Sequence, residues 1–191
     1  MDKSLMAKAA DSAVTVARNV TPDQFDLPTP CPGWTVRDLA NHLTLWSAKV
    51  SERSARRLPP PGDGSEDESN DFTAGWPAPF VEGVARAVEA WDAPGALEGE
   101  TVMMADARPA KFIHDMVFGE LVLHAWDLAV ATGQPFEVAP EVAEYTLEGA
   151  AGMAEMARQY EVFGAEVSVP ADAPPLARAL GVSGRDPGWR P

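Results

Sequence analysis

"GELVLHAWDLA" (residues 119–129) sets polar side chains into an apolar helical run. Leu121, Val122, Leu123, Ala125, Trp126, Leu128 and Ala129 form an apolar run suited to the inside of a helix, yet Glu120, His124 and Asp127 interrupt it. Followed outward, the run begins near Pro109, which suits the first turn of a helix, and ends at Gly133 and Pro135, which stop one. The spacing predicts a helix over 109–132. On such a helix Glu120 and His124 lie on nearly the same face, about 6 Å apart along the axis, and Asp127 continues the stripe by another turn. Met116, Leu121 and Leu128 flank the stripe, so this face is expected to turn inward. A buried unpaired carboxylate costs several kcal/mol and a buried imidazole needs hydrogen-bond partners, so something must compensate them.

The rest of the chain reads as helices around that one. Leu5, Met6, Ala9, Ala13, Val16 and Ala17 predict a first helix over 2–19, followed by a proline-rich loop over 21–34. Thr35 and Asp38 have capping-box spacing and open a second helix to about residue 57, with Val36, Leu39, Leu43 and Trp46 on one stripe. Lys49, Arg53, Arg56 and Arg57 fall near its end, where cations complement the helix dipole. The acidic stretch 59–71 is expected to be a mobile, solvated connection, placed so that it can also order over a site entrance. A third helix is predicted over 78–92, a connection holding a short β-hairpin over 94–111, and a fifth helix over 140–160. The expectation is an all-α bundle over 1–162, with four main helices and an additional one. An extended, proline-rich tail over 163–191 packs on it and contains a turn of helix at 175–181.

Bulk properties narrow the function. The 191 residues suit one domain, and 29 acidic against 15 basic residues give a net charge of −14, which repels nucleic acid and anionic membranes. Charged residues from Asp2 to Arg18 break any signal-peptide core, and no stretch approaches the roughly 20 apolar residues of a membrane span. A single cysteine, Cys31, excludes an internal disulfide and a Cys-cluster zinc site. These features predict a soluble, reduced, cytoplasmic protein.

Glu120 and His124 have two readings on spacing alone: ligands of a divalent cation, or a hydrogen-bonded core pair. The chain has three histidines to complete a metal set. His114 lies ten residues before His124, about 15 Å away along one helix, and cannot share its ion; it is expected at the surface or close to a loop. His42, beside the apolar stripe of the second helix, can face the pair if the two helices are neighbours. Asp127 can hydrogen-bond a ligand imidazole from behind or tie a loop to the bundle. Cys31 reads as a small buried residue, with a nucleophile near a helix amino terminus as the alternative. Trp34, Trp46 and Trp126 read as core or pocket-wall aromatics.

Beyond these residues, "TPCPGWTVRDLANHL" (29–43), "GELVLHAWDLAVATGQ" (119–134) and the closing "PADAPPLARALGVSGRDPGW" (170–189) are similar, in content and order, to the actinobacterial maleylpyruvate-isomerase-like proteins. These are DinB-like helical bundles that include mycothiol-dependent enzymes. The resemblance implies a divalent metal held by a histidine of the second helix and a later Glu-x-x-x-His pair, which fall on His42, Glu120 and His124. It implies zinc first, with nickel or iron also accepted by these donors. It further implies mycothiol, or another small thiol, as co-substrate in transfer to, or isomerisation of, a small electrophilic substrate. A non-catalytic metal-binding or stress-related protein of the same fold is the alternative. Members often form homodimers, though no apolar stripe here marks an interface. One departure is plain: the isomerases carry a separate C-terminal domain that contributes an arginine, and the segment after residue 162 is too short for it. Arg178 and Arg185 of that segment are expected at the surface.

Overall fold

A computed structural model describes residues 3–191, and Asp2 of the expected first helix lies outside the described residues. Helix α1 (Leu5–Arg18) starts where the Ser4 hydroxyl accepts from the Ala7 amide, and it buries Met6, Ala9, Ala10, Ala13, Val16 and Ala17. The proline-rich loop leads to the predicted capping box. Thr35 Oγ1 accepts from the Asp38 amide, and Asp38 Oδ2 accepts from the Thr35 amide at 2.8 Å.

Beyond this cap the helix over 36–55 is one rod of three windings. They are α2 (Val36–His42), a π-helical stretch (Leu43–Val50) and α3 (Ser51–Ala55). The wider i→i+5 winding rotates the following side chains away from the α-helical phase. Trp46, expected to follow Val36, Leu39 and Leu43 into the core, therefore stands half-buried at its edge, while Leu45, Ala48 and Val50 point inward. The cation cluster at the rod's end also differs from a solvated dipole cap. Arg53 is buried, bonded through Nε to Glu66 and through its terminal nitrogens to the carbonyls of Val102 and Met103.

Helix α4 (Ala78–Trp91) packs along the π-helical stretch and α3. The approach is close because residue 83 is glycine: a Cβ there would lie 2.7 Å from Ala48 Cβ. Gly83→Val is expected to lose about 1–3 kcal/mol of stability through this overlap. An unshifted urea midpoint would show that the two helices can part without cost.

Strands β1 (Glu100–Val102) and β2 (Ala107–Pro109) form the predicted hairpin, pairing antiparallel with Thr101 opposite Arg108. Pro109 then caps α5 (Ala110–Ala131), which ends where Gly133 adopts φ +69° and Gln134 N donates back to Ala129 O. Helix α5 is the axis of the molecule. It contacts α1, α2, the π-helical stretch and α3, and fourteen of its 22 residues are buried, so it has no wide solvent face on which to put polar side chains. Helix α6 (Pro140–Gln159) packs on α5 and α1.

The C-terminal segment folds back over this bundle. The expected turn of helix is α7 (Pro175–Val182), which packs on α6 and sets Leu180 against Leu123 and Trp126. Gly184, at φ +84°, crosses Gly164 so tightly that a Cβ would meet its Cα at 2.7 Å. Among the described residues no helix is long and apolar enough to cross a membrane.

Candidate functional site

Glu120 and His124, one turn apart on α5, meet His42 from the last turn of α2. Glu120 Oε2 accepts from His42 Nε2 at 2.6 Å and lies 3.3 Å from His124 Nε2. The two imidazole centroids are 4.8 Å apart. Trp34, from the loop before α2, stacks on His124 at 6.0 Å and tilts against His42 at 5.0 Å, while Trp46 flanks the other side of His42 at 6.5 Å. Trp34 and Trp46 are thus wall aromatics of the site, whereas Trp126 is in the core.

Asp127 sits behind His124. Its Oδ2 accepts from His124 Nδ1 at 2.8 Å, which points Nε2 of the same ring toward Glu120 and His42. Asp127 is itself fully buried and is balanced by Arg185, whose Nε donates to Oδ1 at 2.9 Å and whose Nη2 donates to Oδ2 at 2.8 Å. This overturns the surface expectation for Arg185, whose side chain is 11% exposed. The cause is physical: a carboxylate with no access to water requires a cation, and the returning C-terminal segment delivers one. Cys31 also reaches this point, half-buried, with Sγ 3.3 Å from Asp127 Oδ2 and 3.8 Å from His124 Nδ1.

The electrostatics follow from these contacts. Burial pushes the Glu120 carboxyl upward, but the charges and hydrogen bonds of His124 and His42 outweigh it and hold the group well below the usual carboxylate range. Burial pushes His124 downward, yet Glu120, Asp127 and Cys31 raise it well above an ordinary imidazole. Asp127 is likewise driven up by burial and brought down, chiefly by Arg185 and then His124, to about 2.

Two overlapping sets of donor atoms therefore have a spacing compatible with one ion: His42, Glu120 and His124, and Cys31, His124 and Asp127. The second set already has its cation. Arg185 engages both oxygens of Asp127 and places Nη2 3.3 Å from His124 Nδ1, where a metal on that side would sit. The first set contains no lysine or arginine, and it borders a cleft of about 620 Å³ whose walls include Trp34, Trp46, Phe72, Asp38 and Glu68. Ligand atoms of a tetrahedral ion with 2.0–2.1 Å bonds lie roughly 3.3 Å apart. The Glu120–His124 separation of 3.3 Å already has this value, and His42, at 2.6 Å from Glu120, needs to retreat by about 0.7 Å.

His114 does not join the cluster and is not at the surface. It is buried edge-on to Trp91 at 5.5 Å, and its Nδ1 donates to Asp115 Oδ1 at 3.0 Å. Lys111 Nζ at 2.7 Å and Tyr145 OH at 2.6 Å complete the contacts of Asp115. Burial works against the ionised Asp115, but these hydrogen bonds from His114, Lys111 and Tyr145 hold its pKa at about 2. Because the folded value is depressed, the contribution is present above the unfolded pKa near 4 and is lost as pH falls toward 2. The lost stability is expected to be on the order of 1–2 kcal/mol. Asp115→Asn should flatten that part of the acid-unfolding curve, and an unchanged acid limb would show that the network contributes nothing.

The chain matches the family described as mycothiol maleylpyruvate isomerase N-terminal domain over residues 6–129, and it belongs to that family. The class defined by helices, hairpin and convergent histidines is thus a DinB-like bundle of the mycothiol-isomerase type. Two uncharacterized proteins of Mycobacterium tuberculosis, from strains CDC 1551 and H37Rv, are each 29% identical to it over 182 residues, covering 93% of this chain and 94% of theirs. No solved structure matches the chain at a significant level. The family match covers His42, Glu120, His124 and Asp127 but stops before Arg185, so the cation of the buried pair lies outside the matched region.

Proposed function

We propose that the chain binds one divalent metal, zinc first among the ions these donors accept, through His42, Glu120 and His124, and acts with a low-molecular-weight thiol, mycothiol, on a small electrophilic substrate. The observation that carries the reading is the convergence of three metal-type donors from two helices at the wall of an open cleft. Three protein ligands leave coordination positions free, and such an ion lowers the pKa of a thiol so that it is present as the nucleophilic thiolate. The protein's own residues do the remaining work. Asp127, held by Arg185, fixes the tautomer and tilt of His124, and Trp34 and Trp46 hold the ring of His42. The reading divides the chain into a metal-binding bundle over 1–162 and a C-terminal segment over 163–191 whose Arg185 completes the support of the site. A thiol-dependent reaction of this kind fits a cytoplasmic location.

Incubating the metal-loaded protein with mycothiol and a panel of halogenated and α,β-unsaturated electrophiles tests the activity. Thiol addition or cis–trans isomerisation that needs both thiol and metal, and disappears in His42→Ala, is the expected result. Full metal occupancy without turnover across the panel would instead establish a non-catalytic metal-binding protein.

A further inference from the structure

The cleft beside His42 combines three aromatic walls, Trp34, Trp46 and Phe72, with two carboxylates, Asp38 and Glu68, and no lysine or arginine lines it. We infer that this cleft selects a small organic cation with an apolar body. The further step, that the electrophile of the proposed reaction is of this class, rests on the function proposed above; the charge preference itself does not.

Aromatic faces attract cations through their quadrupole, and this cleft already shows the effect: Lys49 Nζ stands 5.8 Å from the centre of the Phe72 ring. The carboxylates add charge that Arg37, beside Asp38, and Lys49, over Phe72, offset only from outside the cleft's lining. Hydrogen bonds from Thr35 hold Asp38 below the ordinary carboxylate range, and the cap they form uses only its Oδ2. Glu68 forms no ion pair among the described residues. Of the basic side chains of the adjoining rod, only Lys49 stands against a cleft wall, and the nearest others have partners away from it. Arg37 lies over Phe25 at 4.9 Å and beside Asp26 at 3.5 Å, and Arg53 is bonded to Glu66.

The floor does not reverse the sign. Glu120 faces His42 and His124, and a divalent ion there carrying a thiolate would bring ion, Glu120 and thiolate to zero net charge, leaving Asp38 and Glu68 as the charged side chains that line the cleft. Arg185, behind His124, is neutralised by Asp127. A concave site of this sign repels anions, and the net charge of −14 acts in the same sense at long range. The dicarboxylate in the family's name would find no cationic side chain lining this cleft.

Three probes of matched size test the inference on the full-length chain: benzylammonium, benzyl alcohol and benzoate, followed by tryptophan fluorescence and calorimetry. Benzylammonium is expected to bind about tenfold more tightly than benzyl alcohol, with benzoate weakest. In a Glu68→Gln, Asp38→Asn protein the advantage of the cation should shrink to about twofold. Glu68→Gln alone, in an exposed loop, should give part of that loss without touching the helix cap. Benzoate binding as tightly as benzylammonium, a ratio unchanged in the double variant, or no binding of any probe would overturn the inference. The preference must also persist after chelation and in His42→Ala. A failed metal assignment therefore leaves it standing, and its own failure leaves metal stoichiometry untouched.

Discussion

Replacing Arg185 with leucine is expected to destabilise the protein by about 3–5 kcal/mol, because it leaves the fully buried Asp127 carboxylate without its cation. The pair need not add net stability for this to hold; the loss comes from stranding one charge. A double variant, Arg185→Leu with Asp127→Leu, removes both charges and should regain most of what the single one loses. Urea unfolding of the four proteins of this cycle measures the coupling directly. A single variant as stable as the parent would mean that water reaches Asp127 when the C-terminal segment is loosened. The same substitution also removes the support of His124, so metal affinity in the surviving folded fraction is expected to fall about 10–100-fold.

Arg53→Met is the second large effect, a loss of about 3 kcal/mol or more. The methionine stem can fill the space, but the Glu66 carboxylate and the Met103 carbonyl lose their donor, and the Val102 carbonyl keeps only that of the Ser54 hydroxyl. Glu66→Gln should be milder, since its amide can still accept from Arg53 Nε. The contrast between the two identifies Arg53 as the pin between the end of the helical rod, the acidic loop and the hairpin. Equal, small effects from both would instead reduce the contact to a screened surface pair.

How far the sequence reveals this arrangement depends on what information each residue carries locally. Periodicity and caps are local, so Thr35, Asp38, Gly133 and the boundaries of α5 are readable directly, and the hairpin follows from the connection around 94–111. His42, Glu120 and His124 are legible because few histidines are available and one helical turn aligns two of the three donors. The π-helical stretch is not legible: Leu43–Val50 has acceptable α-helical spacing, and only packing against α4 and α5 reveals the altered phase that turns Trp46 toward the cleft. Arg185 is invisible for a different reason. It lies 58 positions from Asp127 in a proline-rich segment, and no local pattern links the two. The one available signal was energetic, since an aspartate inside a helix buried on all sides needs a cation from somewhere. His114 failed in the opposite direction, because a histidine near a helix start resembles a surface residue until Trp91 and Phe118 are seen to enclose it.

Metal occupancy decides whether His42, Glu120 and His124 together hold one divalent ion. Elemental analysis of protein purified without added metal, combined with competition against a calibrated chelator, measures it most directly. The parent is expected to hold about one equivalent per chain. His42→Ala and Glu120→Gln should lose most of it, Cys31→Ser should retain it, and loading should release protons in a pH-dependent amount, because Glu120, Asp127 and Cys31 raise the pKa of His124 in the ion's absence and the ion needs its neutral imidazole. Undiminished occupancy in His42→Ala, or occupancy lost only in Cys31→Ser, would rule out an ion held by His42, Glu120 and His124.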